Sequence, residues 1–266
     1  MSNDIVNGMW NGGDFVNGMW YSGIWNNGNF NQSEWHNGTF NNGLFYNSKW
    51  VDGVFLNGKF EYSEWMNGEW KDGLFYNSKW FDGLFEKGTF TQSHWYNGIF
   101  NGIIPENYVY DGPNTQLDAG LWGTFIQSTW YDGIFNNGKF ENSEWKDGKF
   151  NGGKFVNSLW ENGRFKNAVW VNGIWLSGRM VESKWESGIW QNGEFIQSEW
   201  LNGVWNNGVF NNSKWHNGVW GNGSWVSGQI YSHKYQQFVH SNRNPMIFQS
   251  KEIESTNLNQ LSQSLI

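Results

Sequence analysis

Residues 10–30 read Trp10-Asn11-Gly12-Gly13-Asp14-Phe15-Val16-Asn17-Gly18-Met19-Trp20-Tyr21-Ser22-Gly23-Ile24-Trp25-Asn26-Asn27-Gly28-Asn29-Phe30, with an aromatic residue at every fifth position. The frame runs to Phe100, resumes at Phe125 and ends at Trp225, with Met180 its one non-aromatic member. Of the 22 tryptophans, Trp122 alone is out of frame. A helix turning every ~3.6 residues would scatter these positions round its axis. A strand of period two would send them alternately to opposite faces. A strict period of five needs a short extended piece followed by a bend.

The bend lies just before each aromatic. Gly stands two residues ahead at Gly18, Gly23, Gly28, Gly38, Gly43 and Gly53, with Asn or Asp before it at Asn17, Asn27, Asn37, Asn42 and Asp52. These dipeptides mark positive φ, which Gly adopts freely and Asn tolerates. The aromatic and the small residue share parity and are expected to face inward, with mixed Lys, Glu, Tyr, Val, His and Thr positions outward. Asn-Gly is also a hairpin signal. Three-residue strands, however, would have to pair backwards after one turn and forwards before the next, through backbone groups that point to one side. Coils stacked in parallel meet no such conflict, so the expectation is an all-β solenoid with an aromatic core.

A longer period sets the size of a coil. Ser replaces Gly at Ser33, Ser48, Ser63, Ser78 and Ser93, then at Ser128, Ser143 and Ser158, and again at Ser183, Ser198 and Ser213. Charges alternate alongside, as Glu34, Lys49, Glu64, Lys79 and later Lys184, Glu199, Lys214. Fifteen residues per coil would stack opposite signs ~4.8 Å apart. That gives three sides of five residues, enclosing roughly 500 Å³ per layer against about 1,200 Å³ for a four-sided coil. Three rings nearly fill the triangle. The thirty-residue likeness of Phe45-Tyr46-Asn47-Ser48-Lys49-Trp50 to Phe75-Tyr76-Asn77-Ser78-Lys79-Trp80 could copy the same pattern by duplication. Three- and four-sided coils both stay open.

Over residues 5–100 and 121–230 the chain resembles the pentapeptide-repeat proteins, right-handed quadrilateral β-helices in which a small residue lies two before a large apolar one. Here the large residue is Trp or Phe rather than Leu, and Asn precedes the Gly rather than the large residue. Tyr21-Ser22-Gly23-Ile24-Trp25-Asn26-Asn27-Gly28 is more weakly similar to the core of MORN repeats. Aromatic Asn-Gly repeats of this kind resemble those associated with phage and large-virus structural proteins.

The reading divides the chain into a first solenoid block (1–100), a loop or distorted coil (101–120), a second block (121–230) and a non-repeat C-terminal cap or anchoring arm (231–266). The interruption holds Pro105 and Pro113, and Tyr108 and Tyr110 make it a candidate docking loop. The end segment sets Phe238, Ile247, Phe248, Leu258 and Leu261 in a polar background, as a partner-binding arm would. Trp122, Tyr46, Tyr76, Phe81 and Tyr96 are the off-frame aromatics expected on the surface.

Nothing in the sequence suggests catalysis or a cofactor. There is no cysteine, the net charge is −7 with 15% charged residues, and no Lys/Arg run forms a basic stripe. Direct nucleic-acid binding is therefore not expected. His36, His94, His216, His233 and His240 are not spaced as metal ligands, and Asp52, Asp72, Asp82, Asp132 and Asp147 occupy the corner slot. No secretory leader and no apolar run long enough to span a bilayer is expected. The expected role is a non-enzymatic rod or peg in a larger assembly. Its partners would be other structural proteins held through the C-terminal segment, in a virion if viral and in the cytoplasm otherwise. Two alternatives stand beside it. Some pentapeptide-repeat proteins mimic DNA and bind topoisomerases, and exposed aromatics could serve a glycan-binding adhesin.

Overall fold

Each five-residue unit forms a short strand ending on or just after the aromatic, then turns. The first coil shows the plan: β1 (Gly8–Trp10), β2 (Asp14–Val16) and β3 (Met19–Trp20) lie on three faces, here I, II and III. The next strand, Gly23–Trp25, returns parallel to β1 with Trp25 opposite Trp10. The computed structural model describes residues 7–102, 123–248 and 250. Throughout the coils the partner of a residue is the one a coil later, in sheets of 14, 15 and 13 strands for faces I, II and III that are parallel except for the last strand of face II. The coil is thus three-sided, and the four-sided section implied by the pentapeptide-repeat resemblance does not hold. The expected charge rows form in register, Glu34 opposite Lys49, Lys49 opposite Glu64 and Lys184 opposite Glu199.

The ladders cross the interruption without a gap. Phe90 pairs with Phe125, Trp95 with Trp130 and Phe100 with Phe135. The array breaks off at the corner residue Gly102, whose N–H donates to the Asn136 carbonyl, and is taken up again at Gly123. Tyr108, Tyr110 and Trp122 lie outside the described residues.

Every in-frame residue from Phe15 to Trp220 is at most 6% exposed. Within a coil the rings meet edge to face: Phe60–Trp65 at 5.8 Å, Trp65–Trp70 at 5.9 Å and Phe60–Trp70 at 6.2 Å between centroids. Along a face they stack nearly parallel, as Phe60 on Phe75 at 4.9 Å and Trp65 on Trp80 at 4.7 Å. Such pairs contribute ~0.5–1.5 kcal/mol beyond area burial. Face III is a column of tryptophan alone, from Trp20 to Trp220, and face II changes from Phe to Trp at Trp170. In that coil Met180 takes the third place, where a flexible thioether fits beside two indoles.

Two corner types explain the small residue. In the first, Gly takes the positive φ, +120° at Gly53, and stacks so closely that a Cβ there would lie 2.5 Å from the Gly38 carbonyl oxygen. The Asn or Asp before it, Asn137 apart, is not left-handed, whereas Asn17 ahead of Gly18 is. In the Gly corner it is an acceptor, and the Gly53 N–H donates to Asp52 Oδ1 at 2.8 Å. The corner carbonyl accepts an indole N–H from the coil before, as Asn67 does from Trp50 and Asp82 from Trp65. In the second type the residue ahead takes the left-handed conformation, as Gln32, Asn47, Tyr62 and Asn77 do. The small position then has ordinary φ and room for a Cβ, and Ser fills it. Ser48 Oγ donates to the Tyr46 carbonyl at 2.7 Å and accepts the Ser33 N–H at 3.1 Å.

The array ends differently from how it repeats. Gly228–Ser232 continues face II and pairs antiparallel with Gln237–His240, covering the last edge of that sheet. Trp225 Nε1 donates to the Ser241 carbonyl at 2.8 Å. A helical turn then starts at Pro245, with the Ile247 N–H on Asn244 Oδ1, and Phe248 packs against the core.

Candidate functional site

Two grooves of the surface lie over Ser corners. From Gly18 to Ser158 these corners lie between faces II and III, and from Ala168 to Ser213 between faces I and II. Each run makes a groove. One of about 760 Å³ has Ser33, Ser48 and Ser63 as its floor, with Asn47 and Tyr62 on one wall and Lys49 on the other. The second, about 390 Å³, lies over Ser183, Ser198 and Ser213. The floor hydroxyls are committed: each donates to the carbonyl two residues back, and in the ladder each accepts an N–H from the previous coil. A hydroxyl so fixed, with no His or carboxylate bonded to it, is structural rather than nucleophilic.

Besides Tyr21, which stacks on His36, and Tyr235, the outward aromatics of the array include two groups. Tyr46, Tyr62 and Tyr76 meet edge to face on face II, and Tyr62 beside it raises the Tyr76 phenol above its ordinary value. On face III, Phe81, Tyr96 and Tyr131 stack at 4.9 Å, so each ring covers its neighbour's face and shows solvent its edge.

Of the residues expected to bind a partner, Phe238 is half-buried under His216 and Tyr231, with Lys214 Nζ 5.5 Å from its ring. Phe248 serves the cap, and Ile247 is exposed beside Met246. Leu258 and Leu261 lie outside the described residues. The structure brings Phe238 and Phe248 to the same end of the rod but not into one site.

Wrapping at fifteen residues also gathers groups scattered in the sequence. Lys149, Arg164 and Arg179 stand in register on face I, and Lys139 and Lys154 on face II, where most other charged rows alternate in sign. Arg179 pairs with Glu194 and Lys139 with Glu141. Face III changes character after Leu159, where its outward positions carry Ile174, Ile189, Val204 and Val219. Among the described residues no group of three or more His, Asp or Glu side chains could hold a metal ion, and no helix is long and apolar enough to cross a membrane.

No known protein family, curated protein or solved structure matches the chain.

Proposed function

We propose that the protein is a non-catalytic structural component, a rigid rod in a larger assembly, and that this assembly is a phage or virus particle to which it is attached through its C-terminal segment. The observation that carries the reading is the continuity of three ladders over the whole array, each backed by an unbroken buried column. In a solenoid every coil is held by its neighbours alone. Here each junction between internal coils, save the two that involve Met180, adds three ring stacks to the backbone bonds, which is what a stiff spacer requires. The particle assignment rests on the likeness of the aromatic Asn-Gly repeats to those associated with viral structural proteins.

The two alternatives have less geometric support. Glycan binding needs exposed ring faces, and Phe81, Tyr96 and Tyr131 turn theirs to one another. DNA mimicry needs an unbroken acidic surface, whereas the outward rows alternate in sign or, at Lys149 and Arg164, repeat a positive one.

The test is density-gradient sedimentation of lysate from the native source, following the protein by mass spectrometry. Co-migration with particles that hold nuclease-resistant nucleic acid is expected. Recovery only as a free small species overturns the assignment.

A further inference from the structure

Face III carries no charge over four successive coils. From 172 to 177, 187 to 192, 202 to 207 and 217 to 222 its residues are Asn, Gly, Ser, Gln, Leu, Ile, Val and buried Trp. Between Glu34 and Asp147 the same face carries a formal charge in every described coil but that of His94, with Lys49, Asp52, Glu64, Lys79 and Lys146 among the charges. Faces I and II keep Arg179, Glu194, Lys184 and Glu199 in the very coils where face III has none. Loss of charge confined to one face is the compositional mark of an interface core.

The uncharged face is also flat and aliphatic. Leu159, Ile174, Ile189, Val204 and Val219 form one row in register. Ile174 is 41%, Ile189 37% and Val219 61% exposed. The parallel row is Glu161, Leu176, Gln191, Asn206 and Gly221, small or polar except for the exposed Leu176.

We infer that this face pairs two copies of the chain, side by side and antiparallel, about a twofold axis through Ile189. Two arrangements bring a flat face onto itself. With the twofold along the rod and midway between the rows, the aliphatic row meets the partner's second row. With the twofold across the rod, aliphatic row meets aliphatic row. Ile189 then opposes the partner's Ile189, Ile174 the partner's Val204, and Leu159 the partner's Val219, so branched residues of similar size oppose one another along the seam. In the second row Gln191 lies on the partner's Gln191, Glu161 opposite the partner's Gly221 and Leu176 opposite the partner's Asn206, so the like-on-like contact is that of the aliphatic row. A twofold contact must be self-complementary in this sense.

Area sets the strength. Five coils ~4.8 Å apart and ~16 Å wide present roughly 400 Å² of flat face per copy. With side-chain relief the pair buries on the order of 1,000 Å², the lower bound of specific interfaces. The dimer is therefore weak, in the micromolar range. It does not depend on the structural reading above, since a rod that never pairs could still serve in a particle.

Sedimentation velocity of the full chain, from low micromolar to several hundred micromolar, tests it. The wild type should move from monomer to dimer. Ile189→Lys sets two ammonium groups against each other at the axis and should leave a monomer. Ile174→Glu alone should weaken pairing, and adding Val204→Lys in the same chain should restore it, because antiparallel pairing brings each new carboxylate onto the partner's new ammonium. Near-UV circular dichroism checks that each variant keeps its stacked core. A wild type that stays monomeric throughout overturns the inference, whether the face is bare or covered by residues 251–266 or another protein. So does Ile189→Lys dimerising as well as wild type. Failure of the double variant to recover overturns the antiparallel arrangement.

Discussion

Ser78 meets two demands at once: its hydroxyl donates to the Tyr76 carbonyl at 2.7 Å and accepts the Ser63 N–H at 3.0 Å. Ser78→Ala leaves both groups buried without a partner and should cost ~1–3 kcal/mol in urea unfolding. Ala168 occurs naturally in such a slot because it heads its ladder, where it need only donate its N–H to Ser183. The inward and outward positions separate more sharply. Phe60 is fully buried and Lys59 exposed. Phe60→Ala should cost ~3–5 kcal/mol and Lys59→Ala under ~0.5 kcal/mol. Equal effects would refute the inward-aromatic core. Charge acts on a smaller scale. Bonds to Glu86 and Glu69 raise the Lys71 ammonium, and bonds to Glu144 and Glu161 raise Lys146. A raised lysine stabilises below its unfolded value, and that stability is lost as pH climbs through the folded value. Melting temperature should therefore fall slightly above about pH 10.5, and less so in Lys71→Met. The effect is small because these groups face water.

At the scale of the element, much of the fold was legible because a five-residue side leaves a five-residue trace. The inward aromatic, the outward charge row and the Ser column all followed from spacing alone. The number of sides followed only in part, since fifteen-residue Ser spacing has duplication as a rival cause. It is settled by register, with Trp50 on Trp65 and Phe45 on Phe60. The shift of the Ser column from one corner to another was also written in the sequence, as the twenty-five residues between Ser158 and Ser183, but it has meaning only once fifteen residues make a coil. What could not be read was which backbone group a side chain would serve. The Asn of an Asn-Gly corner accepts the Gly N–H, and its carbonyl takes an indole N–H seventeen residues away in sequence. The grooves and the uncharged face were hidden for a related reason. They are properties of columns, and neighbours in a column are a coil apart in the chain. The interruption gives an element-scale test. Because Phe100 stacks directly on Phe135, joining Gly102 to Gly123 restores a five-residue unit, and deletion of residues 103–122 should leave the melting temperature within a few degrees. Removing one residue more or fewer shifts every later ring out of frame, so that variant should lose its near-UV circular dichroism.

For the molecule as a whole, the problem that three-sided stacking creates is its ends. A coil exposes unpaired N–H and C=O groups on three strands and the faces of three rings, which is a template for another coil. Internal coils are protected by their neighbours, so stability within the array is shared and the last coil is the weak point. The C-terminal segment answers this in the described residues. Gln237–His240 runs antiparallel to Gly228–Ser232, and an antiparallel edge offers the wrong hydrogen-bond pattern to a further parallel coil. Ser241 takes the Trp225 indole N–H, and Phe248 lies on the core. Within this cap Phe248 turns inward and Ile247 and Met246 outward. A chain ending at residue 227 should therefore melt lower and associate end to end into species larger than a dimer, while one ending at residue 250 should match the full chain in both respects. Size-exclusion chromatography with light scattering separates the two, and Ile189→Lys in the shorter chain distinguishes end-on growth, which it leaves intact, from lateral pairing through face III, which it removes.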